Sequence, residues 1–211
     1  LPGEFPRVSG NSELVSFYHF LRNNYYPRHD ELCSREADLM FKAFATGAPD
    51  MEYDKDGCFS GSAAELPDGR QLLLYTGVKC EIGEDGRKRD IQTQCIAVGD
   101  GLNYEKYEKN PVLDGQDIPA GFSVYDFRDP KIFPREDGSF GMVVGNRTED
   151  GSGAILLFAS EDGFHWQFES ILDRSYNEFG RMWECPDMFP LDGQNVIITS
   201  PQDMCALGLP E

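Results

Sequence analysis

The chain has 211 residues, of which 40% are hydrophobic and 12% aromatic, enough for one large domain or two small ones and too apolar for a disordered chain. Lys+Arg number 19 against 37 Asp+Glu, a formal net charge of -18, and that field opposes a phosphate-lined partner, which argues against nucleic acid and anionic membranes. No apolar run nears the roughly 20 residues of a membrane span. The opening Leu1-Pro-Gly-Glu-Phe-Pro-Arg7 is no signal peptide and has no starting Met, which reads as a processed product or a fragment. The acidic residues are spread along the chain, as a surface that keeps a protein soluble.

The six cysteines, Cys33, Cys58, Cys80, Cys95, Cys185 and Cys205, form no C-x-x-C pair and match no zinc spacing. Reduced thiols in a cytoplasmic protein are the simplest reading. His19, His29 and His165 have no ligand-type neighbours, and His165 falls in an aromatic run expected to be a strand. No metal and no cofactor is expected. Asn146-Arg147-Thr148 is a glycosylation sequon with nothing beside it that points to secretion.

From about residue 57 onward the chain repeats. Ser60-Gly-Ser-Ala-Ala-Glu-Leu-Pro-Asp68-Gly69, Asp129-Pro-Lys-Ile-Phe-Pro-Arg-Glu-Asp137-Gly138 and Glu184-Cys-Pro-Asp-Met-Phe-Pro-Leu-Asp192-Gly193 share a form. Each precedes an apolar strand, at Gln71–Thr76, Phe140–Val144 and Asn195–Thr199. Asp-Gly between two extended runs predicts a hairpin, since Gly supplies the positive φ of a primed turn. A second repeat falls between: Gln94–Val98 leads through Asp100-Gly101 to Tyr104–Tyr107, and Ala154–Phe158 through Asp162-Gly163 to Phe164–Phe168. Two hairpins in succession make a four-stranded meander, the blade of a β-propeller. The first-hairpin turns are 69 and 55 residues apart, longer than the common blade repeats, so longer loops are expected. No helical periodicity follows residue 55.

Ser60, Asp129 and Glu184 each lie eight residues before the Asp of their turn. In equivalent blades they stand at equivalent heights on the first strand, which lines the central channel, so the three polar side chains are expected at one mouth. Two carboxylates without metal ligands nearby point to glycoside hydrolysis, where one acid protonates the leaving oxygen and another carboxylate attacks or activates water. Glu184 lies between Trp183 and Cys185, and apolar neighbours keep a carboxyl protonated, as a general acid requires. Asp129 follows Arg128, which is expected to keep it ionised.

Cys58-Phe-Ser-Gly-Ser-Ala63, Phe127-Arg-Asp-Pro130 and Trp183-Glu-Cys-Pro186 resemble three signature motifs of glycoside hydrolase family 32, the invertase and sucrose-6-phosphate hydrolase family. Tyr53-Asp-Lys-Asp-Gly57 and Tyr104-Glu-Lys-Tyr-Glu-Lys-Asn-Pro-Val112 are similar to it as well, and the likeness runs from about Ala48 to about Gln202. The resemblance implies an all-β fold, a five-bladed β-propeller whose funnel binds a fructosyl unit of a small carbohydrate such as sucrose. It also implies Glu184 as the acid/base and Asp129 as the transition-state stabiliser. Arg128 would shape the same subsite, Phe59 and Ser60 would line the fructose pocket, and Trp183 would form an apolar wall or serve the core.

The nucleophile that the family carries in a Trp-Met-Asn-Asp-Pro-Asn-Gly type motif is absent from residues 1–47. That stretch is read as a degenerate first-blade region, with Phe17-Tyr-His-Phe20 its strand-like remnant, and 48–211 as the blades that carry the funnel. Asp30, Asp38 and Asp50 lack the flanking turn residues that a substitute would need. Later blades and the family's C-terminal β-sandwich are expected to be missing, which would leave the propeller incomplete, with open sheet edges. The expected function is retaining cleavage of a β-fructofuranoside, whether sucrose, sucrose 6-phosphate or a short fructan. The alternatives are an inactive fructoside-binding remnant and a related fructosyltransferase. Arg181 and Lys131 are the cationic candidates for reading a 6-phosphate.

Overall fold

The structure is a computed structural model that describes residues 51–204. Every regular element among them is a strand, and each sheet is antiparallel. The first sheet is β1 (Gly57–Glu65), β2 (Gln71–Ile82), β3 (Lys88–Gly99) and β4 (Tyr104–Lys106), paired in chain order. The second is β5 (Arg128–Pro134), β6 (Phe140–Arg147), β7 (Gly153–Ser160) and β8 (Gln167–Arg174), with the same order. A two-stranded sheet of β9 (Met182–Leu191) and β10 (Gln194–Gln202) follows. The predicted meanders are present, with one shift. Phe164, His165 and Trp166 lie in the turn before β8 rather than in the strand. There the Asp162 carboxylate accepts the Phe164 and His165 amides, both at Oδ1, and these side-chain bonds compete with a ladder.

The Asp-Gly turns are of two kinds, and only one is a primed turn. At Asp192-Gly193 both residues have positive φ, 50° and 78°, and Leu191 pairs directly with Gln194, which is the two-residue primed hairpin. At Asp68-Gly69 and Asp137-Gly138 only the glycine is left-handed. The Gly69 amide donates to Leu66 O and the Leu66 amide to Arg70 O, and Arg135, Gly138 and Ser139 repeat that pattern. This is the longer loop built on a type I turn with a left-handed glycine. Pro67 fits it because Pro presets φ for the second turn position.

Two apolar clusters hold the sheets side by side. Leu72, Leu74 and Ile96 of the first sheet, with Leu66 from its first turn, pack on Phe127, Ile132, Phe140, Met142, Val144, Leu156 and Phe158. On the other side of the second sheet, Val143, Ile155 and Leu157 pack on Trp183. Alternation explains the split: Met142 and Val144 face one neighbour and Val143 the other. Residues 140–146 of β6 are therefore all buried. Gly153 leaves room for the Trp183 indole; a Cβ there would lie 2.5 Å from the ring. Asn146, the acceptor of the sequon, is fully buried and bonded to Ser123, so it is not presented for modification. The expectations for residues 1–47, including Phe17–Phe20, Asp30 and Asp38, and for Asp50, lie outside the described residues.

Candidate active site

The inner strands β1, β5 and β9 each carry one extra residue where the site forms. Two residues on β1 from Phe59 to Gly61 oppose one step on β2, from Thr76 to Tyr75. Three on β5 from Arg128 to Lys131 oppose two on β6, and three on β9 from Glu184 to Asp187 oppose two on β10. These are β-bulges, and Pro130 and Pro186 sit in two of them, where a residue without an N–H costs no ladder bond. A bulge interrupts the alternation of side chains, so neighbours in sequence can face the same way. Phe59 with Ser60, Arg128 with Asp129, and Glu184 with Cys185 all line one open cavity of about 1120 Å³. Ser60, Asp129 and Glu184, expected at one mouth, all line this cavity.

Asp129 is buried at 6% exposure and has φ 61°, and Cys185 has φ 46°. Non-glycine residues are uncommon in that left-handed region, and they gather at functional sites. The two are linked, because the Cys185 amide donates to Asp129 Oδ2 at 2.9 Å. Arg128 does not turn to its neighbour Asp129. Its Nε and Nη2 both donate to Glu184 Oε1, at 3.0 and 2.9 Å. Its Nη1 lies 3.4 Å from Asp126 Oδ1 and 3.4 Å from Gln92 Oε1. The apolar surroundings expected for Glu184 are therefore replaced by a guanidinium, because Trp183 turns away and the partner comes from the next blade. Trp183, one residue from Glu184, points the opposite way into the core, with its indole N–H donated to Phe179 O at 2.6 Å. It does not line the cavity.

Lys131 is engaged by Asp187 at 3.1 Å, and Arg181 lies with Arg147 in a separate polar pocket of about 540 Å³. Neither cation lines the main cavity. Residues that sequence reading missed include Asp126 and Gln92, which meet Arg128, and Tyr125, whose ring lies 5.7 Å from the Arg89 guanidinium. Asp126 could have been suggested by its spacing of two from Arg128; Gln92 is brought in by β3 alone. Among the described residues no group of three or more His, Cys, Asp or Glu could hold a metal.

Cys185 is exposed, yet burial of its sulfur and then the negative charge of Asp129 push its thiol above the ordinary value. Only the thiolate reacts with alkylating reagents. Iodoacetamide at pH 7.5 should therefore modify Cys185 more slowly than a free model thiol, with the rate still rising above pH 9. A Cys185 rate already level at pH 8 would contradict this, and mass mapping separates it from the other described cysteines, Cys58, Cys80 and Cys95.

Antiparallel meanders set side by side, with their first strands around one cavity, are blades of a β-propeller. Residues 44–207 match the family described as Glycosyl hydrolases family 32 N-terminal domain, and the chain belongs to that family of glycosidases. It is 42% identical over 166 residues to the sucrose-6-phosphate hydrolase of Bacillus subtilis, covering 76% of this chain and 32% of that one. It is 38% identical over 160 residues to the raffinose invertase of Escherichia coli, covering 74% and 31%. A solved Bombyx mori GH32 beta-fructofuranosidase variant in complex with sucrose superposes with a TM-score of 0.63 at 39% identity, covering 72% of this chain and 31% of that chain. For the sucrose-6-phosphate hydrolase of Lactobacillus gasseri the TM-score is 0.60 at 32% identity, over 74% and 30%. The chain thus spans about a third of the length of the relatives it matches. No helix among the described residues is long and apolar enough to cross a membrane.

Proposed function

We propose that the cavity binds the fructosyl unit of a β-fructofuranoside such as sucrose, sucrose 6-phosphate or a short fructan, and carries the acid/base half of a retaining glycosidase. The observation that carries the reading is the meeting of Glu184, Arg128 and Asp129 at one cavity, from adjacent inner strands at matching bulges. In a complete retaining site Glu184 would protonate the leaving glycosidic oxygen while a second carboxylate bonds to the sugar, and would later take a proton from the water that breaks that bond. Arg128 fixes the rotamer of Glu184 and would turn with it as the proton moves. Asp129, buried and anchored on Cys185, accepts fructose hydroxyls and stabilises the positive charge that develops on the sugar ring. Phe59, 42% exposed on the cavity wall, offers an apolar face to the sugar, with Ser60 beside it as a hydroxyl partner.

The proposal includes a ring of five blades. The described residues supply two four-stranded blades and a hairpin, and residues 48–211 are the part that carries the funnel. The displacement step needs a nucleophile about 5–5.5 Å from the acid, and the absence of the Asn-Asp-Pro motif from residues 1–47 favours binding without turnover in this chain. Calorimetry with fructose and reducing-sugar release from sucrose and sucrose 6-phosphate test this, with Glu184→Gln as control. Binding without turnover is expected. Turnover that falls about 10²–10⁴-fold in Glu184→Gln would place a nucleophile in residues 1–50 and make the chain a working hydrolase. A folded chain that binds no fructoside would end the reading.

A further inference from the structure

The bulge that brings Asp129 to the cavity also strips its backbone of partners. Extra residues in a ladder leave N–H and C=O groups unpaired, and such groups, when buried, must be satisfied from elsewhere. For residues 127–132 the replacements come from the neighbouring sheet. Ser62 Oγ donates to Pro130 O at 2.8 Å and accepts the Ile132 amide at 2.9 Å. Ahead of them, the Asp129 amide donates to Thr76 Oγ1 at 3.0 Å. The Thr76 hydroxyl donates in turn to Gln94 Oε1 at 3.1 Å, and Gln94 Nε2 donates to Phe127 O at 2.7 Å. The relay therefore holds the chain on both sides of Arg128. Thr76 and Gln94 are both 0% exposed, and they are polar residues on β2 and β3 at positions where packing alone would choose apolar ones.

We propose that Thr76 and Gln94 are positioning residues that hold Asp129 in its left-handed conformation and so aim its carboxylate at the fructosyl subsite. The hydroxyl of Thr76 is suited to this because it accepts from Asp129 and donates to Gln94 at once, and the amide of Gln94 is suited because it accepts from Thr76 and donates to Phe127. No substitution by valine or methionine reproduces either pair. The left-handed φ of Asp129 is costly for a residue with a Cβ and persists only where its surroundings impose it. Releasing the amide lets the segment relax toward an extended conformation, which withdraws Oδ2 from Cys185 and changes the carboxylate's aim. The ligand part of this inference rests on the fructoside reading above; the backbone part does not.

The test compares Thr76→Val, Thr76→Ser and Gln94→Met with the unaltered chain, by amide hydrogen exchange and fructose calorimetry. In Thr76→Val and Gln94→Met the Asp129 and Cys185 amides should lose about tenfold or more in protection, while those of Met142 and Leu156 in the core keep theirs. The fructose Kd should rise about tenfold in both variants and stay within about twofold in Thr76→Ser, which retains the hydroxyl. Protection and Kd unchanged in Thr76→Val and Gln94→Met would overturn the proposal, as would Thr76→Ser behaving like Thr76→Val. Should the unaltered chain bind no fructoside, the fructoside reading fails, and the exchange pattern at Asp129 and Cys185 alone then decides whether the relay holds the backbone. Should Thr76→Val not fold, Gln94→Met and Thr76→Ser carry the same comparison.

Discussion

Asp54→Ala should destabilise the chain by roughly 3–5 kcal/mol, the usual cost of removing one partner from a buried ion pair. Asp54 is fully buried, and its Oδ2 accepts from Lys106 Nζ at 2.6 Å and from the Tyr75 hydroxyl at 2.9 Å. Its Oδ1 takes the Met51 amide at 3.0 Å. Lys106 keeps only 10% of its side chain exposed, so the truncation removes a close counter-charge from an ammonium largely withdrawn from water. It also frees a phenol whose ionisation burial already opposes. The carboxylate joins the turn before β1 to β2 and to the edge strand β4, and the first sheet is expected to loosen as a unit. Urea denaturation gives the value. A double-mutant cycle with Lys106→Met should return a coupling of at least about 1 kcal/mol, since the two charges lie 2.6 Å apart away from water. A loss below about 1 kcal/mol in Asp54→Ala would mean that the buried pair is not what holds this corner.

The second large effect is expected from one methyl group. Gly61 follows Ser60 in the β1 bulge, and a Cβ on it would lie 1.9 Å from the Leu74 carbonyl oxygen and 2.8 Å from the Tyr75 Cα. Both are backbone atoms of the central part of β2, where Leu74 is buried at 1% exposure, so no side chain can swing aside. Gly61→Ala must push β1 off β2, at a cost of about 3 kcal/mol or more, the upper end for overpacking a close contact. Because Phe59 and Ser60 ride on the same bulge, fructose affinity should fall along with the denaturation midpoint. Gly61→Ala with a midpoint and a Kd equal to those of the unaltered chain would show that the two strands can part without consequence. A control at Gly69, where a Cβ meets nothing within 4 Å but φ is 84°, should cost only about 1–2 kcal/mol from backbone strain.

Much of the fold was legible because its signals are local. An Asp-Gly pair between two apolar runs needs no distant partner to make a hairpin, and every one of the three turns used for the repeat closes one. The count of eight residues from each turn fixed height along a strand, since rise per residue is nearly constant. Ser60, Asp129 and Glu184, matched by that count, line one cavity once the bulges turn them toward it. The failures were of two kinds. His165 was placed in a strand on its aromatic neighbours, and the capping carboxylate of Asp162 won that competition. Primed geometry is expected of the Asp68 and Asp137 turns, whereas the bonds of Leu66 to Arg70 and of Arg135 to Ser139 close a longer loop.

By itself, then, the sequence determined the hairpins, their order and the level at which the polar residues stand, because turn chemistry and strand rise act over a few residues. Which way each side chain faces was decided only in the tertiary structure. A bulge lets Arg128 and Asp129 share the cavity while Trp183 turns its back on the one that Glu184 faces. Adjacency in sequence suggested that Arg128 would hold Asp129; packing of the second sheet against the third instead put the guanidinium on Glu184. The same docking, on the other side, put Thr76 and Gln94 behind Asp129. Sequence spacing sets position along a strand, whereas a hydrogen bond between blades depends on how two sheets dock, and that is fixed by the whole apolar interface between them.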